Sequence, residues 1–552
     1  MAKLGATNQL TVGLALCMLG FALCTLLMVT PLVRMPDRVI TLHIAPGAWL
    51  ARAGNWLPAN LGLASDPLNA RGSTACVEFI CLLGLVGVCY GLGAFLVRRQ
   101  TETGKQRMPR TFIWVGALLA GAIYMLTPAM LSHDIIVYAS YGRVLMTYHA
   151  NPYFVEIAAF PHDPFTPINY WARTVSAYGP IWVFVCGLFS LVLQPAVLAY
   201  VLAFRLFALA IHLFNTWLVG RTLHDMGRSP RTVTLGMLLY AWNPLVLLES
   251  SLGGHNDVFM LMFILLGILL AVRAEQHGLL LRPRGYLPPV VALMLATLVK
   301  FTALPILAMY LLLLICKALS PTVENSLTVK LTLRNWRIAF LSVLGAGLAA
   351  LLVGLAFYAP FWFGHSAQAI SASFKNAPSA LYSQNSFMRS TDAWLHHRPA
   401  RTFPFTLLTS RRFWDLLTYL ALGGGLLLGM RQFWSRPTIK TFVLVSLVTM
   451  SAILLITPWF FSWYVTWIVG LAVLCLPARQ SRIQSALLAF TFAFSFSALL
   501  TYLFTNGYQP FDSRAYLLSV LTTLPPTCAF LFTLLLWQPA RHSTIIGGSE
   551  AW

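Results

Sequence analysis

The chain has 552 residues, 58% of them hydrophobic and only 10% charged, with a mean hydropathy of +0.74. A globular domain carries about 25% charged residues, so this chain has too few to coat a sphere and a soluble fold is excluded. The net charge of +21 would point a soluble protein towards nucleic acid; in so apolar a chain it reads as Lys and Arg gathered in cytoplasmic loops, and nucleic acid is not an expected partner.

Apolar stretches close to the ~20 residues that cross a bilayer recur from end to end. The first runs from Leu10 to Val33 behind a single Lys, with no small-residue cleavage site standing out, and reads as a retained span. In chain order the spans fall at 8–31, 76–97, 111–131, 196–220, 232–252, 258–273, 286–299, 303–317, 338–363, 413–430, 441–457, 460–476, 484–504 and 516–538. The expected fold is therefore an all-α polytopic bundle of about 14 transmembrane helices. The nine cysteines lie in or beside these stretches without metal spacing, and are read as buried packing residues.

Charge orients the bundle. With both termini cytoplasmic, the inner loops and ends hold 22 Lys and Arg, although most are short, against 14 on longer outer segments, with Arg205 within a span. This balance requires the run Ile181–Gln194 to be a short juxtamembrane or half-inserted helix, because as a span it would turn the basic loop Arg221–Arg231 outward. The bend at Gln194-Pro195 agrees. It also splits 286–317 into two spans near Lys300. Three large segments then face out, 32–75, 132–195 and 364–412. Loops of that length are uncommon without a task. There is no internal repeat, no inverted pair of broken spans, no Gly-rich phosphate loop and no zinc-binding helix signature.

Polar residues at the outer boundary carry the candidate chemistry. Asp134 opens SHDIIVYASYGR after the third span, followed by Tyr138, Tyr141, Arg143, Asn151, Tyr153 and Tyr178-Gly179-Pro180. It is either a general base in a polar pocket or an ordinary helix cap, a role open to Ser132 as well. Glu249 lies near the outer end of the fifth span, where a carboxylate is costly and usually has a partner. His255, Asn256 and Asp257 follow in the turn GGHND, where Asn and Asp also suit caps. Lys300 and Arg205 are each a snorkelling side chain or an anion site. Trp459 and Trp463, in PWFFSWYVTW, fit an aromatic belt or sugar stacking.

Together these residues suit a substrate with an apolar anchor, an anionic group and a polyhydroxylated head, as in a polyprenyl-phosphate sugar. Its phosphate leaves with a second pKa of ~6, so no strong acid is required. One carboxylate base and one cation suffice, whereas a hydrolytic glycosidase would want two flanking carboxylates. No metal is required, and a divalent cation is compatible with the set. The rival reading is a transporter or flippase for a polyprenyl-linked or other amphipathic substrate, whose ionisable groups should sit near mid-membrane. A non-catalytic assembly scaffold is a third.

SHDIIVYASYGR…NPY…YGP, then WNPLVLLES…GGHND, the LVKFT lysine segment and PWFFSWYVTW follow one another in an order that resembles the C-type (GT-C) integral-membrane glycosyltransferases over about residues 111–476. The likeness is nearest to bacterial polyprenyl-phosphate-mannose-dependent α-mannosyltransferases of lipoglycan assembly. It implies an inverting transfer to a glycan or glycolipid acceptor on the extracytoplasmic face of the plasma (inner) membrane. It places the catalytic aspartate at Asp134, with Asp66 in 32–75 as the rival. Many such enzymes have two adjacent acidic residues there; here His133 precedes Asp134. Lys300, or Arg143 or Arg205, would hold the donor phosphate. Glu249, His255, Asn256 and Asp257 would shape the sugar pocket, with Trp459 and Trp463 lining it or the lipid entry. The implied division is an N-terminal hairpin at 1–110, a catalytic module at 111–363 and C-terminal helices at 364–552.

Overall fold

The computed structural model describes residues 2–34, 67–99, 110–193, 195–319, 333–377, 385–388, 390–391, 405–476, 481–503 and 515–536. Asp66, most of 32–75 and much of 364–412 lie outside the described residues. The described chain is helical and contains no strand. Nine of its helices are long and apolar enough to cross a membrane, and a bent pair makes a tenth. Each of the expected spans falls on a helix. Four of them, Arg110–Leu126, Pro283–Val299, Ser462–Leu474 and Val520–Leu536, are shorter than the others, so a count of about 14 depends on how the bilayer meets those four. Ile181–Gln194 lies largely in the 13-residue helix Pro180–Val192, about 20 Å long and short of a bilayer.

Burial sorts the helices into centre and rim. Asp257–Gln276 has 72% of its most apolar window buried, against 28% for Leu333–Trp362 and 11% for Arg411–Ser435. The rim helices turn Leu348, Leu351, Leu352, Leu355, Leu416, Leu420 and Leu427 outward, as a helix facing lipid does. The cysteines follow the same division, which corrects the uniform expectation: all nine are free, but Cys81 and Cys528 are exposed on apolar faces.

Two breaks in the central helices position the site. The helix Pro230–Ala241, here α1, ends at Trp242, whose indole donates to the Ile113 carbonyl at 3.0 Å. Asn243 then caps the short helix Pro244–Ser251 (α2) by accepting from the Val246 N–H, with Pro244 at its first position. Proline cannot supply the N–H that would continue α1, so the pair bends by 51°. The second break is at Lys300, whose extended backbone (φ −155°, ψ 125°) separates Pro283–Val299 (α3) from a 3-10 turn, Phe301–Ala303, and the helix Leu304–Leu319 (α4). The sequence-based division of 286–317 at Lys300 falls on this break.

Candidate functional site

Asp134 is the first residue of the helix Asp134–Met146 (α5). Its N–H donates to Ser132 Oγ at 3.1 Å, so the hydroxyl serves the backbone here. The Asp134 carboxylate instead meets side chains: Oδ2 accepts from Tyr138 and Tyr178, each at 3.2 Å, and lies 3.3 Å from His255 Nδ1. Tyr178 arrives because the YGP loop packs on the end of α3. Gly179 donates to the Val299 carbonyl at 3.1 Å, so close that a Cβ there would stand 2.0 Å from the Leu298 oxygen. Burial raises the Asp134 carboxyl, but the close, charged His255 and the charge of Lys300 outweigh it, so Asp134 sits below its ordinary value.

The turn after α2 delivers His255. Gly254 adopts φ +62°, a conformation that disfavours residues with a Cβ. Nε2 of His255 lies 3.4 Å from Glu249 Oε2, and the ring stacks on Trp463 at 3.8 Å and 17°. Both nitrogen contacts are charge contacts whose geometry falls short of hydrogen bonding. Glu249 is buried and accepts from Ser462 Oγ at 2.7 Å and from Tyr502 at 2.9 Å. Asp257 opens the helix Asp257–Gln276 (α6), and its Oδ1 accepts from Lys300 Nζ at 2.8 Å and Trp467 Nε1 at 2.7 Å. Lys300 also lies over the Tyr464 ring, 4.2 Å from its centroid. The structure therefore assigns both aspartates to side-chain clusters and not to caps. Lys300 is buried in an ion pair and does not snorkel.

Asp134, Tyr141, Lys300, Trp459 and Trp463 share the wall of one cavity of about 470 Å³ with Trp171, Tyr178, Phe461, Tyr464 and Trp467. Beyond Lys300 the cavity runs between α4, the helix Arg411–Ser435 (α7) and the helix Ile439–Ile456 (α8), where Leu304, Leu422, Ile453 and Leu454 line it. Arg411, Asp415 and Thr418 of α7 line it as well, so this side mixes apolar and polar groups.

Several expected site residues sit elsewhere. Arg205 is fully buried, its guanidinium donating to the carbonyls of Met125, Thr127, Ala129 and Leu252. Those carbonyls lie where helices end and lack helical partners, so Arg205 is a structural clamp and not a phosphate ligand. Arg143 is likewise corrected: it pairs with buried Asp163 at 2.6 Å, and Tyr148 donates to the same oxygen at 2.9 Å. Asn151 donates to the Phe361 carbonyl in the helix Leu333–Trp362, and Tyr153 donates to the Tyr178 carbonyl and so braces the YGP loop. Tyr138, Glu249, His255, Asn256 and Asp257 are not among the residues lining the cavity and form the layer behind it. The sequence reading missed Ser462, Tyr502, Asp163 and Trp171. Only Asp163, an acid 20 residues from Arg143 in an otherwise acid-poor chain, left a usable signal.

The fold is that of a multi-pass helical membrane protein, and its family match supports the C-type glycosyltransferase likeness that the resemblance implied. The chain belongs to the family described as "Alpha-(1->6)-mannopyranosyltransferase, N-terminal domain", which matches residues 38–316, about half its length. Among similar proteins, alpha-(1->6)-mannopyranosyltransferase A of Corynebacterium glutamicum is 22% identical over 207 residues, 37% of this chain and 41% of that protein. The protein of the same name from Mycobacterium tuberculosis is 27% identical over 169 residues, 30% of each chain. Alpha-(1->6)-mannopyranosyltransferase B of C. glutamicum is 25% identical over 231 residues, 41% of this chain and 36% of that protein. The matches thus span about two-fifths or less of these relatives.

Proposed function

We propose that the protein is an inverting glycosyltransferase that moves a mannosyl group from a polyprenyl-phosphate donor to a glycan or glycolipid acceptor on the extracytoplasmic face. The observation that carries this reading is the shared cavity: Asp134 and Lys300 in its wall, aromatic rings beside them, and Leu304, Leu422, Ile453 and Leu454 lining the same space. The family membership and the names of the relatives support mannose as the sugar.

Asp134 accepts the proton of an acceptor hydroxyl as that oxygen bonds to the anomeric carbon. The bond from that carbon to the phosphate oxygen breaks, and polyprenyl phosphate leaves with the electron pair. Attack opposite a β-linked phosphate yields an α-mannoside. Lys300 stabilises the charge that grows on the leaving phosphate. This reading requires no metal.

The test is transfer by the purified protein in nanodiscs, given polyprenyl-phosphate mannose and a short mannoside acceptor. Asp134→Asn should lower kcat by about 10²–10⁴, the range of a general base, with unchanged thermal unfolding. Full transfer by a folded Asp134→Asn protein would remove Asp134 as the base. Failure of the wild type with every polyprenyl-phosphate sugar would pass the function to the transporter reading.

A further inference from the structure

His255 is 1% exposed and touches two carboxylates at once, Asp134 through Nδ1 and Glu249 through Nε2. A neutral imidazole has one N–H and one lone pair. Whichever nitrogen bore the lone pair would hold it 3.3–3.4 Å from a carboxylate oxygen. Only the imidazolium presents an N–H to both sides. The remaining surroundings agree with a cation. Trp463 stacks face to face on the ring, which favours positive charge. Tyr502 donates to Glu249, 2.9 Å from each of its oxygens, and Ser462 to Oε1. The other cations nearby are already engaged, Lys300 by Asp257 and Arg205 by backbone carbonyls that include Leu252. Tyr138 and Tyr178 face Asp134 from its other sides as neutral phenols donating to it.

The three side-chain contacts of Asp134, from Tyr138, Tyr178 and His255, all fall on Oδ2. Among the described residues Oδ1 has no hydrogen-bond partner, and Asp134 lines the cavity.

We propose that Glu249 is a positioning residue for the transfer: it keeps His255 an imidazolium, and the imidazolium locks Asp134 Oδ2 so that Oδ1 takes the acceptor proton. This rests on the function proposed above. The proton on His255 stays where it is throughout; the proton that moves goes from the acceptor hydroxyl to Oδ1. Burial disfavours the His255 cation, but the two carboxylates outweigh it and push the group up to about 9. The lock is therefore complete below that pH and is lost as pH rises through it.

Glu249→Gln removes one of the two anions facing His255. The alkaline limb of the kcat profile should move at least about two pH units towards neutrality, with kcat at about pH 8 falling about tenfold or more. The KM values for donor and acceptor should stay within about twofold, because Glu249 does not reach the cavity. Glu249→Asp, which keeps the charge, should move the limb less and in the same direction. His255→Gln should have no such limb. A second readout is independent of transfer: ¹⁵N-histidine solid-state NMR of the full chain in nanodiscs, with the His255 signal identified by its loss in His255→Gln. At about pH 8 that signal should be imidazolium in the wild type and neutral in Glu249→Gln. A wild-type signal that is neutral there, or a Glu249→Gln protein slowed with its alkaline limb in place, overturns the proposal. If the wild type transfers no sugar while the NMR result holds, the function falls and the charge coupling stands.

Discussion

Lys300 and Arg205 are both cations within apolar sequence, and what their donors meet separates them. The planar guanidinium of Arg205 is spent on four backbone carbonyls around two helix ends, a use suited to its fork of donors. Lys300 has one charge, held by Asp257 on one side and open to the cavity on the other. Lys300→Met should therefore have two separable effects. Loss of one partner from a buried pair costs about 3–5 kcal/mol, so thermal stability falls. Donor KM rises because the phosphate loses its cation. Adding Asp257→Asn, which removes the stranded charge but keeps an acceptor for Trp467, should restore most of the stability and none of the donor affinity. Recovery of both would show that Lys300 only neutralises Asp257. At this scale the sequence showed where polar groups stand, because each is costly in an apolar chain. It did not show whom they meet. Glu249 and Tyr502 are 253 residues apart, and Asp257 and Trp467 are 210. A lone serine or tyrosine such as Ser462 or Tyr502 carries no mark that tells it from a neighbour.

Elements were more legible than pairings, since apolar length and proline placement act locally. Pro244 and Lys300 each fall where a helix breaks, and the short run after Gly179 forms its own 13-residue helix. The four spans of 17 residues or fewer were harder to weigh, because composition alone does not say how far a buried helix reaches across a bilayer. The role of the YGP segment needed three dimensions as well. Its glycine allows the loop to lie directly on the last turn of α3, and this contact puts the Tyr178 hydroxyl on Asp134. Gly179→Ala would place a Cβ 2.0 Å from the Leu298 oxygen. That oxygen belongs to helix backbone and cannot rotate aside, so the loop must lift. A displacement of about 1 Å at a catalytic group can cost ~10²-fold. We expect Gly179→Ala to lose about that much kcat while the helical content by circular dichroism is unchanged. Wild-type kcat in this variant would mean that Tyr178 does not hold the base.

Across the whole molecule, the cavity connects the buried centre to the lipid-facing rim. Asp134 and Tyr141 reach it from α5 and Lys300 from the break after α3, whereas α7, which is 11% buried in its most apolar window, lines it with Arg411, Asp415, Thr418, Tyr419 and Leu422. A chamber beside a rim helix suits a substrate arriving from the bilayer: on the proposed function, the donor's isoprenoid chain would lie among Leu304, Leu422, Ile453 and Leu454 while its sugar phosphate reaches Lys300 and Asp134. Such a chain gains about 0.8 kcal/mol for each buried CH₂ when it leaves water, but almost nothing when it leaves lipid, so the chamber selects by shape and not by affinity. Blocking it should then act on chain length. Leu454→Trp adds bulk to the α8 wall of the cavity and replaces none of Asp134, His255 or Lys300. Transfer from a long polyprenyl-phosphate donor should fall about tenfold or more, a loss of at least ~1.4 kcal/mol in kcat/KM. Transfer from a two-isoprene analogue, whose tail ends before Leu454, should change by less than about twofold. Equal losses for both donors would mean that the chain runs elsewhere and that this side of the cavity serves the acceptor.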